Sequence, residues 1–185
     1  MTIEWGEIGI PKGYGPYRLL YNPPSGTVIA ELRSIGEEFL PNKVLIRHKD
    51  SPKYGPIGPD QPMVSSESLV TALSHPTLFY LSHELRKQES TYAGRWLGLY
   101  SFDIENGTSV KLAGPGLLSL PSPYVEGWVT GIVDVSADAA ELYLTMGMME
   151  PSSSGGFRAV DHYLARMDVP TRGIHLVTRL RGVFF

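Results

Sequence analysis

The sequence predicts a mainly β protein built from antiparallel hairpins, and three observations predict it. Twenty glycines and 15 prolines are spread through 185 residues rather than gathered in one linker, which is the distribution of many short strands joined by turns. Asn106-Gly107 and Asn22-Pro23-Pro24-Ser25-Gly26 each separate two β-favouring runs, the pattern of a hairpin. Apolar residues make up 42% and charged residues 19% of the chain, enough to bury a sizeable core and too apolar for a disordered chain. At this length one β-rich domain over residues 1–185 is the expected organisation.

In chain order, the first hairpin joins Tyr17-Arg18-Leu19-Leu20-Tyr21 to Thr27–Leu32 across the Asn22–Gly26 turn. Val44-Leu45-Ile46 reads as one apolar strand, and residues 50–62, rich in proline and glycine without periodicity, read as a surface loop. Ser66–Leu73 has serines suited to capping and apolar spacing compatible with a helical turn ended by Pro76, yet Val70 and Thr71 favour a strand. We read it as a strand. A second hairpin runs from Trp96–Ile104 through Glu105-Asn106-Gly107 into Thr108–Leu112. In its second strand Val110 and Leu112 alternate with Ser109 and Lys111, which predicts one buried and one exposed face.

The chain also repeats itself. Leu73–Leu112 and Val135–Leu176 carry the same order of features, a turn followed by a strand and then a hairpin. Phe102-Asp103-Ile104 corresponds to Met167-Asp168-Val169, and Val110-Lys111-Leu112 to Ile174-His175-Leu176. Loops over Glu84–Arg95 and Glu150–Asp161 separate the strands within each copy. Ser136 and Asp138 fit a turn placed before a strand, with Ala137 and Ala139 where proline and glycine are usual. Over about residues 64–180 these features resemble the blades of TolB-type and related β-propellers. The resemblance implies two to three propeller-blade-like units, with internal repeats at about 64–113 and 127–180 and the hairpin at 17–32 as part of a further blade. Closed propellers need at least about four blades. The architectures left open are therefore a ring completed by a second copy, a piece of a longer propeller, and a self-contained β-sandwich or barrel.

Composition excludes several classes of function. A formal charge of −3 gives no general attraction to nucleic acid or to an anionic membrane. The arginines near the C-terminus, Arg166, Arg172, Arg179 and Arg181, read as solvated charges on strands. Without cysteine there are no disulfides, thiol nucleophiles or thiolate-ligated metals. The first residues lack a basic start and an apolar run, and no apolar stretch reaches the ~20 residues of a membrane helix, so a cytoplasmic location is expected. Walker and Gly-x-Ser-x-Gly patterns are absent, and the five histidines show no paired metal spacing. No cofactor is expected.

Two groups of residues remain as site candidates. His83-Glu84 and Asp161-His162 each set an imidazole beside a carboxylate, as general acid–base chemistry requires, and both pairs border the repeat loops. Tyr92, Trp96, Tyr124 and Trp128 fall in or beside loops, where rings can stack on a sugar or a base. Tyr80, Tyr100, Tyr143 and Tyr163 read as sheet-packing residues, and Met146, Met148 and Met149 as core. The expected function is a non-enzymatic binding or interaction module whose partner is its own second copy, another protein, or a carbohydrate or other small polar ligand. The alternative is a lyase- or hydrolase-type enzyme acting on a carbohydrate or polar small molecule. The terminal Val183-Phe184-Phe185 predicts a closing strand or a dimer contact.

Overall fold

The computed structural model describes residues 8–35, 42–51, 53–57, 63–88, 91–152 and 161–181. Among these residues twelve strands form three antiparallel sheets of four, each sheet a meander in chain order. The first holds β1 (Tyr14–Asn22), β2 (Thr27–Ser34), β3 (Lys43–Arg47) and β4 (Gly55–Pro56). The second holds β5 (Met63–Thr71), β6 (Thr77–Gln88), β7 (Thr91–Asp103) and β8 (Thr108–Ala113), and the third β9 (Glu126–Val135), β10 (Glu141–Met149), β11 (Asp161–Asp168) and β12 (Gly173–Leu180). There is no helix among the described residues, hence none long and apolar enough to cross a membrane.

The sheets stack face to face with the second in the middle. Period-two alternation in β6 shows why. Leu78 and Tyr80 point one way, into a core with Ile29, Val44 and Ile46 of the first sheet, while Phe79 and Leu81 point the other way, against Leu142, Leu144, Met146 and Met148 of the third. All four β6 side chains are buried, so β6 is a central strand, apolar on both faces. The leading strand of each sheet is the one nearest its neighbour, with β1 against β5 and β5 against β9.

Turns at one end of the stack are tied together. The Asn22 side chain, fully buried, donates from Nδ2 to Thr71 Oγ1 (2.8 Å), the Ala72 carbonyl (2.9 Å) and the His75 carbonyl (2.8 Å), joining the β1–β2 turn to the β5–β6 turn. Its Oδ1 accepts from Ser25 N (3.1 Å) and Ser25 Oγ (2.6 Å), which shapes its own turn. The Ser74 amide then donates to the Ala137 carbonyl of the β9–β10 turn at 2.8 Å. Beside this seam, Arg18 Nε donates to the buried Glu31 carboxylate at 2.8 Å and its Nη2 to the Leu69 carbonyl at 2.8 Å. Burial pushes the Glu31 carboxyl above its ordinary range, against the pull of Arg18 and Asn42.

Both predicted hairpins form, as does the strand at Val44–Ile46, and residues 66–71 are strand. Four details differ from the sequence reading. Residues 84–88 and 91–95 are strand rather than loop: β6 and β7 stay paired as far as Gln88 and Thr91, because ladder hydrogen bonds form whatever the side chains are. The β7–β8 turn spans four residues, Ile104–Gly107, with positive φ at Gly107 alone among them. Asp103 Oδ1 sets it by accepting from the Glu105 and Asn106 amides at 2.9 and 3.0 Å, and these bonds hold the Asp103 carboxyl below its ordinary range. Val110 is 47% exposed, since the edge strand β8 buries only its far end, Leu112 and Ala113. Within 50–62, Gly55–Pro56 pairs with β3 as a two-residue strand. The terminal phenylalanines lie outside the described residues.

Candidate functional site

A cleft of about 380 Å³ opens between the second and third sheets, at the end of the stack opposite the tied turns. His83 and Trp96 line it from the second sheet, Glu126, Gly127 and Trp128 from β9, and Pro115, Gly116, Leu118, Leu120 and Val125 from the segment connecting β8 to β9. Clefts of this size suit small molecules.

Register places the first wall. His83 of β6 is the direct cross-strand partner of Trp96 of β7, so their Cβ atoms lie ~5 Å apart on one face. That face is set by a bulge between the Ser82–Gly98 and His83–Trp96 pairs, where Leu97 is the extra residue. Without it Trp96 would share the face of Gly98, Tyr100 and Phe102; with it Trp96 joins Leu99 in the core toward the third sheet. Gly98 permits the bulge, since a Cβ there would lie 2.6 Å from the Ala113 carbonyl oxygen. Trp96 is 7% exposed, and its indole Nε1 and the His83 Nδ1 are both buried without a hydrogen-bond partner. Burial pushes the His83 imidazole below its ordinary pKa, so it is neutral at pH 7.

The second wall is held by a polar network. Tyr124 Oη donates to Asp161 Oδ2 at 3.0 Å and shares a 2.6 Å hydrogen bond with Tyr163 Oη, while the two rings meet edge to face at 5.8 Å. Arg179 closes an ion pair on Asp161. Burial and the neighbouring Tyr163 and Asp161 all raise the Tyr124 phenol pKa, so it stays protonated. The Val125 amide donates to the Met149 carbonyl at 3.0 Å. Together these contacts fix the chain just before Glu126. Trp128 lays its indole over Gly147, where a Cβ would come within 2.7 Å of Cζ2, and His162 is the residue across from Gly147 on β11.

The structure thus gathers His83, Trp96 and Trp128 on one cleft, and Tyr124 with Asp161 in the network beside it. The two imidazole–carboxylate pairs stand at the same end of their sheets but in different surroundings: His83 faces the cleft, whereas Asp161 is occupied by Tyr124 and Arg179. Glu84 and Tyr92, expected within the repeat loop, lie on β6 and β7, and Trp96 and Trp128 lie on β7 and β9; the extended β6–β7 hairpin accounts for the first two. Tyr163, read as sheet packing, bonds Tyr124 instead; its place two residues on from Asp161, hence on the same face, is the signal that could have found it. Glu126 and Arg179 carried no such signal. Of the C-terminal arginines, Arg179 is engaged by Asp161 and Arg166 by Glu141 at 3.2 Å. Among the described residues no cluster of histidine and acidic side chains is arranged to hold a metal. No protein-family model and no curated protein sequence matches this chain.

Proposed function

We propose that the protein is a non-enzymatic binding module, whose three sheets are propeller-blade-like units and whose ligand site is the cleft between the second and third. The observation that carries the reading is the wall made by His83 and Trp96, two side chains with unpartnered buried nitrogens lining a cleft of small-molecule size. Support for the blade reading comes from three consecutive four-stranded meanders with their leading strands adjacent, and from Asp103 and Asp168 accepting amide hydrogen bonds in corresponding turns. Binding is favoured over catalysis because the carboxylate of the second imidazole–carboxylate pair, Asp161, is already committed to Tyr124 and Arg179 and does not line the cleft. A fragment screen followed by intrinsic tryptophan fluorescence tests this: ligands of the protein should lose binding in Trp128→Ala and His83→Leu. Ligands that bind both variants as they bind the parent would overturn it.

Self-association belongs to the same reading. Three blades fall short of a closed ring, so a second copy would meet the outward faces of the first and third sheets. Tyr17 and Tyr21 on β1 are 41% and 42% exposed, and the third sheet offers a polar surface there, Tyr143 donating to Glu141 and Glu141 pairing with Arg166. Native mass spectrometry should show a dimer; a monomer at all concentrations would remove this part of the proposal.

A further inference from the structure

We infer that the cleft takes a neutral, hydroxyl-bearing ligand of the monosaccharide class, one of whose hydroxyls bridges the His83 Nδ1 and Trp96 Nε1 atoms. The inference rests on the binding reading above and adds the chemistry of the ligand. Three observations select that chemistry. An indole N–H can only donate, so its missing partner is an acceptor, while one imidazole nitrogen of a neutral histidine accepts and the other donates. A hydroxyl is both donor and acceptor, and so it satisfies two such nitrogens whichever tautomer His83 adopts. The two side chains are cross-strand partners on one face, their Cβ atoms ~5 Å apart, so a single ligand meets both.

Charge narrows the class. The described lining residues include no lysine or arginine, and their one acidic side chain is the exposed Glu126. A phosphate or carboxylate ligand would meet that negative charge with no cation among the described lining residues to offset it. The rest of the lining is mainly apolar, with Leu118, Leu120 and Val125 suited to the C–H face of a sugar ring. A sugar offers both surfaces, where a purely apolar ligand would leave the two nitrogens unpaired.

The test uses neutral monosaccharides with their uronic-acid and amino-sugar counterparts as probes, added to ¹⁵N-labelled full-length protein. The chain has three tryptophans, so three indole N–H signals are followed, and Trp96→Phe assigns one of them. The Trp96 indole signal should move on addition of a neutral sugar and stay in place with the uronic acid. His83→Leu should weaken binding about tenfold, near the upper range for one hydrogen bond, and His83→Gln, which keeps a donor and an acceptor, should restore most of it. If only amino sugars or simple amines move the signal, Glu126 rather than the nitrogen pair selects the ligand; the inference fails and the binding reading stands. If no probe and no fragment perturbs any cleft residue, both fail. Equal binding by His83→Leu and the parent would also overturn the bridge, and this variant keeps the test open should Trp96→Phe fold poorly.

Discussion

Asn22 joins two sheets through one buried amide, and replacing it gives a sharp test of how the stack is held. Asn22→Ala removes three donated and two accepted hydrogen bonds. Two N–H groups serve three acceptors, so the donated bonds count as about two. At ~1 kcal/mol net each, and with some of the freed acceptors left buried without a donor, the loss is about 3–4 kcal/mol. For a chain of this size each kcal/mol moves the melting temperature by ~2–4 °C, so Asn22→Ala should melt about 6–16 °C below the parent. Asn22→Asp separates hydrogen bonding from shape. Its carboxylate would face three oxygen acceptors without a proton to donate, which raises its native pKa above the unfolded value of ~3.9. Since the raised pKa favours the protonated form, this variant should be closest to the parent at low pH and lose stability as pH rises from ~4 toward neutrality. Asn22→Ala should run parallel to the parent across that range. Urea unfolding between pH 4 and 8 measures both. A loss under ~1 kcal/mol for alanine, or an aspartate variant that tracks alanine at every pH, would refute the account of the seam.

Four further outcomes follow from the packing. Glu31 has a raised native pKa, so its contribution is greatest below the ordinary carboxylate range and is lost as pH rises through the native value. Glu31→Gln should therefore show a smaller fall in stability over that window than the parent, and an unchanged slope in urea midpoints would contradict this. Gly147→Ala drives a methyl against the Trp128 ring and should cost about 1–3 kcal/mol; in a Trp128→Ala background most of that cost should vanish, as a double-mutant cycle reads directly. Tyr124→Phe leaves Asp161 with Arg179 alone and should cost ~1–2 kcal/mol in chemical denaturation. Gly98→Ala meets the Ala113 carbonyl oxygen, so it should destabilise by more than ~1 kcal/mol and also shift the Trp96 indole signal, whereas a variant with parental stability and spectrum would mean the bulge tolerates a side chain.

Much of the fold was legible because it follows from local rules. Asn22–Gly26 and Glu105–Gly107 announce turns, and the run Leu78, Phe79, Tyr80 and Leu81 leaves no polar face, which marks a buried strand. The extent of β6 and β7 was not legible. The sequence of residues 83–88, His-Glu-Leu-Arg-Lys-Gln, shows no apolar–polar alternation, and their strand comes from backbone pairing that such a pattern does not report. Nor could composition decide that Asn106-Gly107 closes a four-residue turn, since that depends on the Asp103 carboxylate collecting two amides.

The site was half legible for a related reason. His83, Trp96 and Trp128 stand out by residue type, but which face a strand residue occupies depends on counting, and one extra residue reverses the count. Leu97 is that residue: the bulge beside Gly98 turns Trp96 from the face of Phe102 to the face of Leu99 and sets it opposite His83. A cleft wall of two unpartnered nitrogens thus depends on the glycine beside the bulge. Any change that removed the bulge would return Trp96 to the seam with the first sheet, where Tyr80 and Tyr100 already stack at 5.3 Å. The cleft wall and the packing of the neighbouring core are therefore alternatives for the same side chain, and the backbone at Gly98 chooses between them.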